Sequence, residues 1–130
     1  KANALVYYLG AERCMQAAKY TDLLSSVKFE RELGTMQMES AFVRAEFQGK
    51  GIAGKLIVEQ IKRLSEEYPT LQKAQIHVAG GNQRALKSYQ KLGFKVVETK
   101  TSNDKIILSL LPSETMLLLE NSLDELRKLF

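Results

Sequence analysis

Two clusters in the chain carry the residue types and spacings best suited to chemistry. The first is Gln48–Gly49–Lys50–Gly51–Ile52–Ala53–Gly54, a glycine-rich stretch that runs straight into an amphipathic helical pattern. A glycine turn feeding a helix makes a phosphate cradle. The first N–H groups of the helix lack partners, the positive end of the helix dipole points the same way, and glycine lets a diphosphate approach the backbone and permits positive φ. The second cluster runs from Asn82 to Tyr89 and closes on Gly93–Phe94. Asn82 follows a Gly80–Gly81 turn and is placed to cap a helix. Tyr89 falls on that helix's apolar face with Ala85, Leu86 and Leu92.

Three nucleotide-binding turns compete for the first cluster. A P-loop needs Gly, four residues, then Gly-Lys-Ser/Thr, and no such string occurs. A dinucleotide fingerprint needs G-x-G-x-x-G, which Gly49, Gly51 and Gly54 satisfy. That turn, however, follows a buried apolar strand and wants an acid at the end of the next strand. Here the preceding residues are Arg44–Ala45–Glu46, and the next strand ends His77–Val78–Ala79–Gly80 with no acid.

The third class fits. Gln48-x-x-Gly51-x-Ala53 resembles the Arg/Gln-x-x-Gly-x-Gly/Ala signature of the GCN5-related N-acetyltransferase (GNAT) superfamily, whose loop holds the pyrophosphate of acetyl-CoA. Ala41–Phe42–Val43 with Glu46–Phe47 looks like the end of that family's fourth strand. Asn82-x-x-Ala85-x-x-x-Tyr89-x-x-x-Gly93–Phe94 is similar to its second cofactor motif. The resemblance covers roughly residues 35–120 and implies a GNAT fold of the α/β (α+β) class: a mixed, twisted sheet with helices on both faces. It implies acetyl transfer from acetyl-CoA to a primary amine by direct attack. The alternative is a non-catalytic module that binds acyl-CoA on the same fold. The family carries more structure before its fourth strand than the 34 residues present here. Residues 1–130 are therefore expected to form a single acetyltransferase domain with a shortened N-terminal part that lacks the usual first strand.

Acyl transfer to an amine needs a positioned donor, a group that takes the ammonium proton, and an acid for the departing thiolate. The resemblance assigns Tyr89 as the acid, because the matching tyrosine points its hydroxyl at the cofactor sulfur. Met38–Glu39–Ser40–Ala41–Phe42–Val43 looks like a string in polyamine and small-amine members whose glutamate lies near the acceptor amine, so Glu39 is the expected base. An exposed strand carboxylate explains Glu39 equally well, and Gln37, on the same strand face, is a competing pocket residue. The implied cofactor-binding set is Val43, Gln48, Gly49, Lys50, Gly51, Ile52, Ala53, Gly54, Asn82 and Tyr89, with Val43 offering backbone groups to the pantetheine arm. Helix capping alone accounts for Asn82. Arg84 and Lys87 could meet the nucleotide phosphate but read first as solvated helix-face charges, His77 reads as a packed or surface strand histidine, and Cys14 as a structural residue on a helix.

The elements that position these groups follow from periodicity. Residues 4–9 are apolar and too short to type, and 11–24 read as a helix. The alternation of Val27 and Phe29 against Lys28 and Glu30 predicts a strand over 26–32, joined by a Leu33–Gly34 hairpin to a strand over 35–45. Leu56, Ile57, Ile61 and Leu64 line the helix after the glycine turn, which Tyr68–Pro69 ends. Strands are predicted over 73–78, 94–98, 105–111 and 115–119, with Gly93 as a left-handed helix terminator. Ser122 and Glu125 make a capping box for a last helix, Leu123 to Phe130.

Composition fits this reading. At 130 residues and 14.7 kDa the chain suits one domain, with a folded surface of roughly 7,000 Å². Hydrophobic residues at 45% and charged residues at 26% exclude a disordered chain. One cysteine and one histidine build neither a disulfide nor a protein-only zinc site, so no metal is expected. The net charge of +4 suits an anionic ligand, but Lys and Arg are interspersed with acids and no nucleic-acid motif is present. Apolar runs are too short to span a bilayer and no signal peptide is visible, so a cytoplasmic protein is expected. The expected partner is a small-molecule or peptide amine, and the resemblance adds a possible homodimer.

Overall fold

The chain forms four strands: β1 (Thr35–Met38), β2 (Lys73–Ala79), β3 (Lys95–Thr101) and β4 (Thr115–Ser122). The computed structural model describes residues 2–39 and 41–130 and places these strands in one mixed sheet of order β1–β2–β4–β3. β1 runs parallel to β2, while β4 is antiparallel to both β2 and β3. Helices α1 (Ala2–Leu9) and α2 (Ala11–Ser25) precede the sheet. A 3-10 turn, Ala45–Phe47, and α3 (Ile52–Glu67) connect β1 to β2. Then α4 (Gln83–Lys91), α5 (Lys105–Leu110) and α6 (Leu123–Arg127) follow β2, β3 and β4.

Alternation along β2 sorts its side chains between two faces. Ala74, Ile76 and Val78 meet Ile57 and Ile61 of α3, Tyr89 of α4, and Leu123 and Leu126 of α6 in one core cluster that includes Phe94 and Leu119. The opposite face carries Gln75 and His77. Val27, Phe29, Ile107 and Leu118 are buried outside that cluster. Phe29 packs edge-on against His77 at 5.3 Å between centroids, and Lys100 of β3 lies 5.1 Å over the same Phe29 ring. The second face is thus covered by the segment around Phe29 together with α5, and the expected placement of helices on both faces holds.

A row of polar side chains ties the sheet together on that second face. Gln37 donates to Gln75 at 3.0 Å, and Gln75 donates to Glu120 at 2.7 Å. Lys73 lies 3.2 Å from Glu120 and 2.7 Å from Glu32. The hydrogen bond from Gln75, with help from Lys73, holds the Glu120 carboxyl below its usual range despite partial burial. Every link spans neighbouring strands or the segment leading into β1, so the row fixes how β1, β2 and β4 sit side by side.

Several expectations are corrected. Val27 and Phe29 are both buried, as the alternation requires, but residues 26–32 join no ladder and form no strand. Consequently Leu33–Gly34 is no hairpin; it is a turn in which Gly34, at φ 71°, leads the chain into β1. The strand predicted over 35–45 ends at Met38; residues 41–44 are irregular and 45–47 form the 3-10 turn, while Ser40 lies outside the described residues. Residues 105–110 are helical, not extended. Asp104 accepts hydrogen bonds from the N–H groups of Ile106 and Ile107, and this cap outweighs the strand preference of the β-branched pair. Residues 4–9, left untyped by pattern, belong to α1.

The accessible surface is 9388 Å², well above the roughly 7,000 Å² of a typical folded chain this size. The excess matches α2, which buries none of its residues, and the exposed Tyr7, Tyr8 and Met15. Among the described residues no helix is long and apolar enough to cross a membrane.

Candidate active site

β1 stops at Met38, opposite Ile76, whereas β2 continues through His77 and Val78 to Ala79 with β4 alone beside it. From Glu39 the chain leaves the sheet and travels through the 3-10 turn to the glycines. The two parallel strands therefore part, and the notch between them is where the candidate groups collect. A cavity of about 20 Å³, room for about one water, is lined there by Met38, Glu39, Ala41, Ile57, Ile76, His77 and Tyr89.

Three titratable groups share this cavity. Glu39 is exposed, and its Oε1 lies 4.0 Å from His77 Nδ1. His77 Nε2 is buried and has no hydrogen-bond partner among the described residues. Burial pushes the His77 pKa down, and the nearby Glu39 charge offsets this in part. The imidazole is thus held neutral near pH 7, with one nitrogen able to accept a proton. Tyr89 is 8% exposed, and burial pushes its phenol up, so it stays protonated. Its hydroxyl makes no hydrogen bond among the described residues, unlike that of an ordinary packed tyrosine. Two proton acceptors and one donor around a water-sized space are the constituents of general acid–base chemistry.

The glycine turn lies at the start of α3. Gly49 and Gly51 have φ of 77° and 73°, a conformation glycine adopts at little cost, and without a Cβ they leave the backbone open to close approach. The first helical bond runs from Lys55 N–H to the Gly51 carbonyl, and Gly51 offers no side-chain cap. Among the described residues no protein acceptor takes the N–H groups of Gly49, Lys50, Gly51, Ile52, Ala53 or Gly54. Gln48 differs: its N–H is spent on the Ala45 carbonyl at 3.3 Å, so it enters the site by its side chain. That side chain donates to the Val43 carbonyl at 2.8 Å and accepts from Arg84 at 3.1 Å. Val43 lies off the strand, in the irregular segment.

Asn82 accepts from Ala85 N–H at 3.1 Å, the expected cap. At the far end of α4, Gly93 has φ 88°, and a Cβ there would lie 2.8 Å from Asn121 Nδ2. The same Nδ2 donates to the Leu92 carbonyl at 3.1 Å. The Asn82 cap and this close approach fix both ends of α4 and therefore Tyr89. Gln37 does not reach the cavity; its amide is committed to Gln75. It lines instead an open groove of about 470 Å³ along the outer edge of β1, with Leu33, Met36, Leu64, Tyr68 and Leu71. That groove is larger but gathers none of the acid–base groups. His77 is the residue that sequence reasoning passed over. Its place on the face opposite Ile76 was readable, but its meeting with Glu39 depends on the chain leaving the sheet.

The Acetyltransferase (GNAT) domain profile matches residues 7–109 of the chain. Among similar solved structures, a GNAT family acetyltransferase from Elizabethkingia anophelis with acetyl-CoA bound is 20% identical with a TM-score of 0.60, over 72% of this chain and 64% of that one. The ribosomal-protein-S18-alanine N-acetyltransferase from Escherichia coli is 16% identical with a TM-score of 0.56, over 72% and 57%. An aminoglycoside acetyltransferase in complex with coenzyme A is 22% identical with a TM-score of 0.58, over 76% and 51%. Similarity at these identities is similarity of fold. The chain spans between 51% and 64% of the length of these three structures. No curated protein matches the sequence.

The depressed His77 pKa has a consequence for stability. A histidine harder to protonate when folded leaves stability intact above its ordinary pKa of about 6.5 and removes it as pH falls below that value. The parent protein should lose more melting temperature between pH 7 and pH 5 than His77→Gln does. Equal losses in a differential scanning fluorimetry series would contradict the burial assigned to His77.

Proposed function

The chain belongs to the acetyltransferase (GNAT) domain family, and from that premise we propose that it transfers an acetyl group from acetyl-CoA to a primary amine by direct attack of the amine on the thioester. The observation that carries this reading is the unbroken row of unpartnered N–H groups from Gly49 to Gly54 at the start of α3. Such a row binds a pyrophosphate through backbone donors and the helix dipole together.

In this reading Gly49, Lys50, Gly51, Ile52, Ala53 and Gly54 hold the pyrophosphate. Val43 supplies a carbonyl to the pantetheine arm where β1 and β2 part, and Asn82 keeps the start of α4 in place beside it. Glu39 accepts the proton of the incoming ammonium, directly or through the water-sized cavity, with His77 as its neighbour. The amine nitrogen then bonds to the acetyl carbon and the carbon–sulfur bond breaks. Tyr89 gives its proton to the departing thiolate and regains one from the newly acylated nitrogen, which leaves a neutral amide and the CoA thiol. A thiolate leaves readily without help, because its conjugate acid has a pKa of about 8.5, so the acid contributes moderately. The acceptor is an amine of a small molecule or a protein. Similar structures include an aminoglycoside acetyltransferase and a protein-alanine acetyltransferase, so the scaffold accommodates both.

Tyr89→Phe tests the reading by thiol release from acetyl-CoA against a panel of amines. The substitution removes one oxygen and keeps the packed ring. We expect kcat to fall roughly 10- to 1,000-fold with CoA affinity within a few-fold of the parent and little change in stability. Unchanged turnover would end the assignment of Tyr89. A parent that binds CoA yet turns over no amine would favour the binding-module alternative.

Glu39→Gln keeps shape and removes the acceptor. Its kcat/KM should drop about 100-fold or more at neutral pH, and the deficit should shrink at high pH where the amine arrives unprotonated. A deficit independent of pH would make Glu39 a substrate contact instead of a base.

A further inference from the structure

We propose that the Gln48 side chain is an internal stand-in for the acyl-CoA in the empty site, and that the Arg84 it tethers is the residue that takes the substrate's pyrophosphate when Gln48 lets it go. This rests on the reading above that the chain binds acyl-CoA.

The geometry is specific. Gln48 closes the 3-10 turn, where its own N–H is committed to Ala45. From that fixed base its amide bridges two groups that have no other link among the described residues: Nε2 donates to the Val43 carbonyl, and Oε1 accepts from Arg84 Nη1. Arg84 belongs to α4, so the bridge joins the second motif to the first. All three residues are at least partly exposed, and water would serve the same polar groups at little cost. The bridge therefore adds little stability. Its effect is positional.

It holds the guanidinium against the glycine turn. A Cβ built on Gly49 would have one neighbour within 4 Å, Arg84 Nη2 at 3.4 Å. The fork thus sits beside Gly49, the first residue of the unpartnered row. Among the described residues no carboxylate pairs with Arg84, and the nearby Glu46 is paired with Arg44 at 3.1 Å. An unpaired guanidinium held to a neutral amide, next to a row of backbone donors, is poised to exchange that amide for an anion. Guanidinium–phosphate bonds are charge-assisted and bidentate, about twice as strong as a neutral hydrogen bond. At its other end Gln48 gives the Val43 carbonyl the same amide N–H that a pantetheine arm would bring. Two bonds are released on binding, and the substrate can supply a replacement for each.

The two bonded partners should respond differently to truncation. By calorimetry, Arg84→Ala should weaken CoA by about tenfold or more, the worth of one charge-assisted bond, and should weaken 3′-dephospho-CoA equally. It should leave pantetheine, which has no pyrophosphate, within about twofold. Gln48→Ala should leave CoA affinity unchanged or tighter. If the bridge merely shapes the loop, both variants weaken CoA and pantetheine alike, and the proposal is overturned. It is also overturned if Arg84→Ala binds CoA like the parent, or if its loss vanishes with 3′-dephospho-CoA, which would move the charge to the 3′-phosphate. A parent that binds no CoA would instead overturn the underlying reading, and this inference with it.

Discussion

The rest of the site depends on one constraint: β1 and β2 are bonded side by side only as far as Met38 and Ile76, and then part. A parallel pair is a rigid unit while its ladder lasts. Where the ladder stops, one strand keeps a free edge and the other is at liberty to turn. β2 stays straight because β4 pairs with it along its whole length. The chain after Met38 turns away, which carries Glu39 to within reach of His77 and sets the glycine turn at the start of α3. Had β1 run on to residue 45 as its composition suggests, β2 would have had no free edge at His77 to Ala79 and no notch would exist.

Holding that divergence in place takes a stiff frame on both faces of the sheet. On one face Ile57, Ile61, Ile76 and Leu119 are almost completely buried and join α3 to β2 and β4. On the other, the Gln37–Gln75–Glu120–Lys73 row spans β1, β2 and β4, so the bonded half of the β1–β2 pair cannot slide. Breaking one member would strand a buried partner, with Gln75 only 3% exposed. The end of α4 is anchored by the close approach of Gly93 to Asn121. The segment 41–44 and the glycine turn, where the proposed ligand would enter, both lie outside the sheet.

The legible features of the sequence were those governed by local rules. The glycine turn, the α3 stripe of Ile57, Ile61 and Leu64, the Asn82 cap, the Tyr89 face and the Gly93 terminator each follow from residues within a turn or two of one another and stand where the pattern put them, whereas Leu56, expected in the same stripe, is 49% exposed. Features decided by distant partners were not legible. Val27 and Phe29 alternate like a strand, but their burial comes from covering the sheet face beside His77, not from joining its edge. Ile106 and Ile107 prefer strands, yet the Asp104 carboxylate caps their N–H groups and the segment coils. His77 looked like any strand histidine, and Arg84 like any helix-face charge. The partner of His77, Glu39, lies on a segment whose path was read as a strand, and the partner of Arg84, Gln48, lies 36 residues away in the glycine turn.

The central claim is that the backbone of the glycine turn receives the nucleotide end of acetyl-CoA beside the Glu39–His77–Tyr89 cavity. The most direct measurement is a titration with CoA followed by amide NMR with hydrogen exchange. The account predicts that the amides of Gly49 through Gly54 shift most and become the most newly protected, because they have no protein acceptor to exchange for the ligand. Saturable CoA binding that leaves those amides unmoved, with the shifts falling instead around Thr35 to Gln37 along the outer edge of β1, would contradict it.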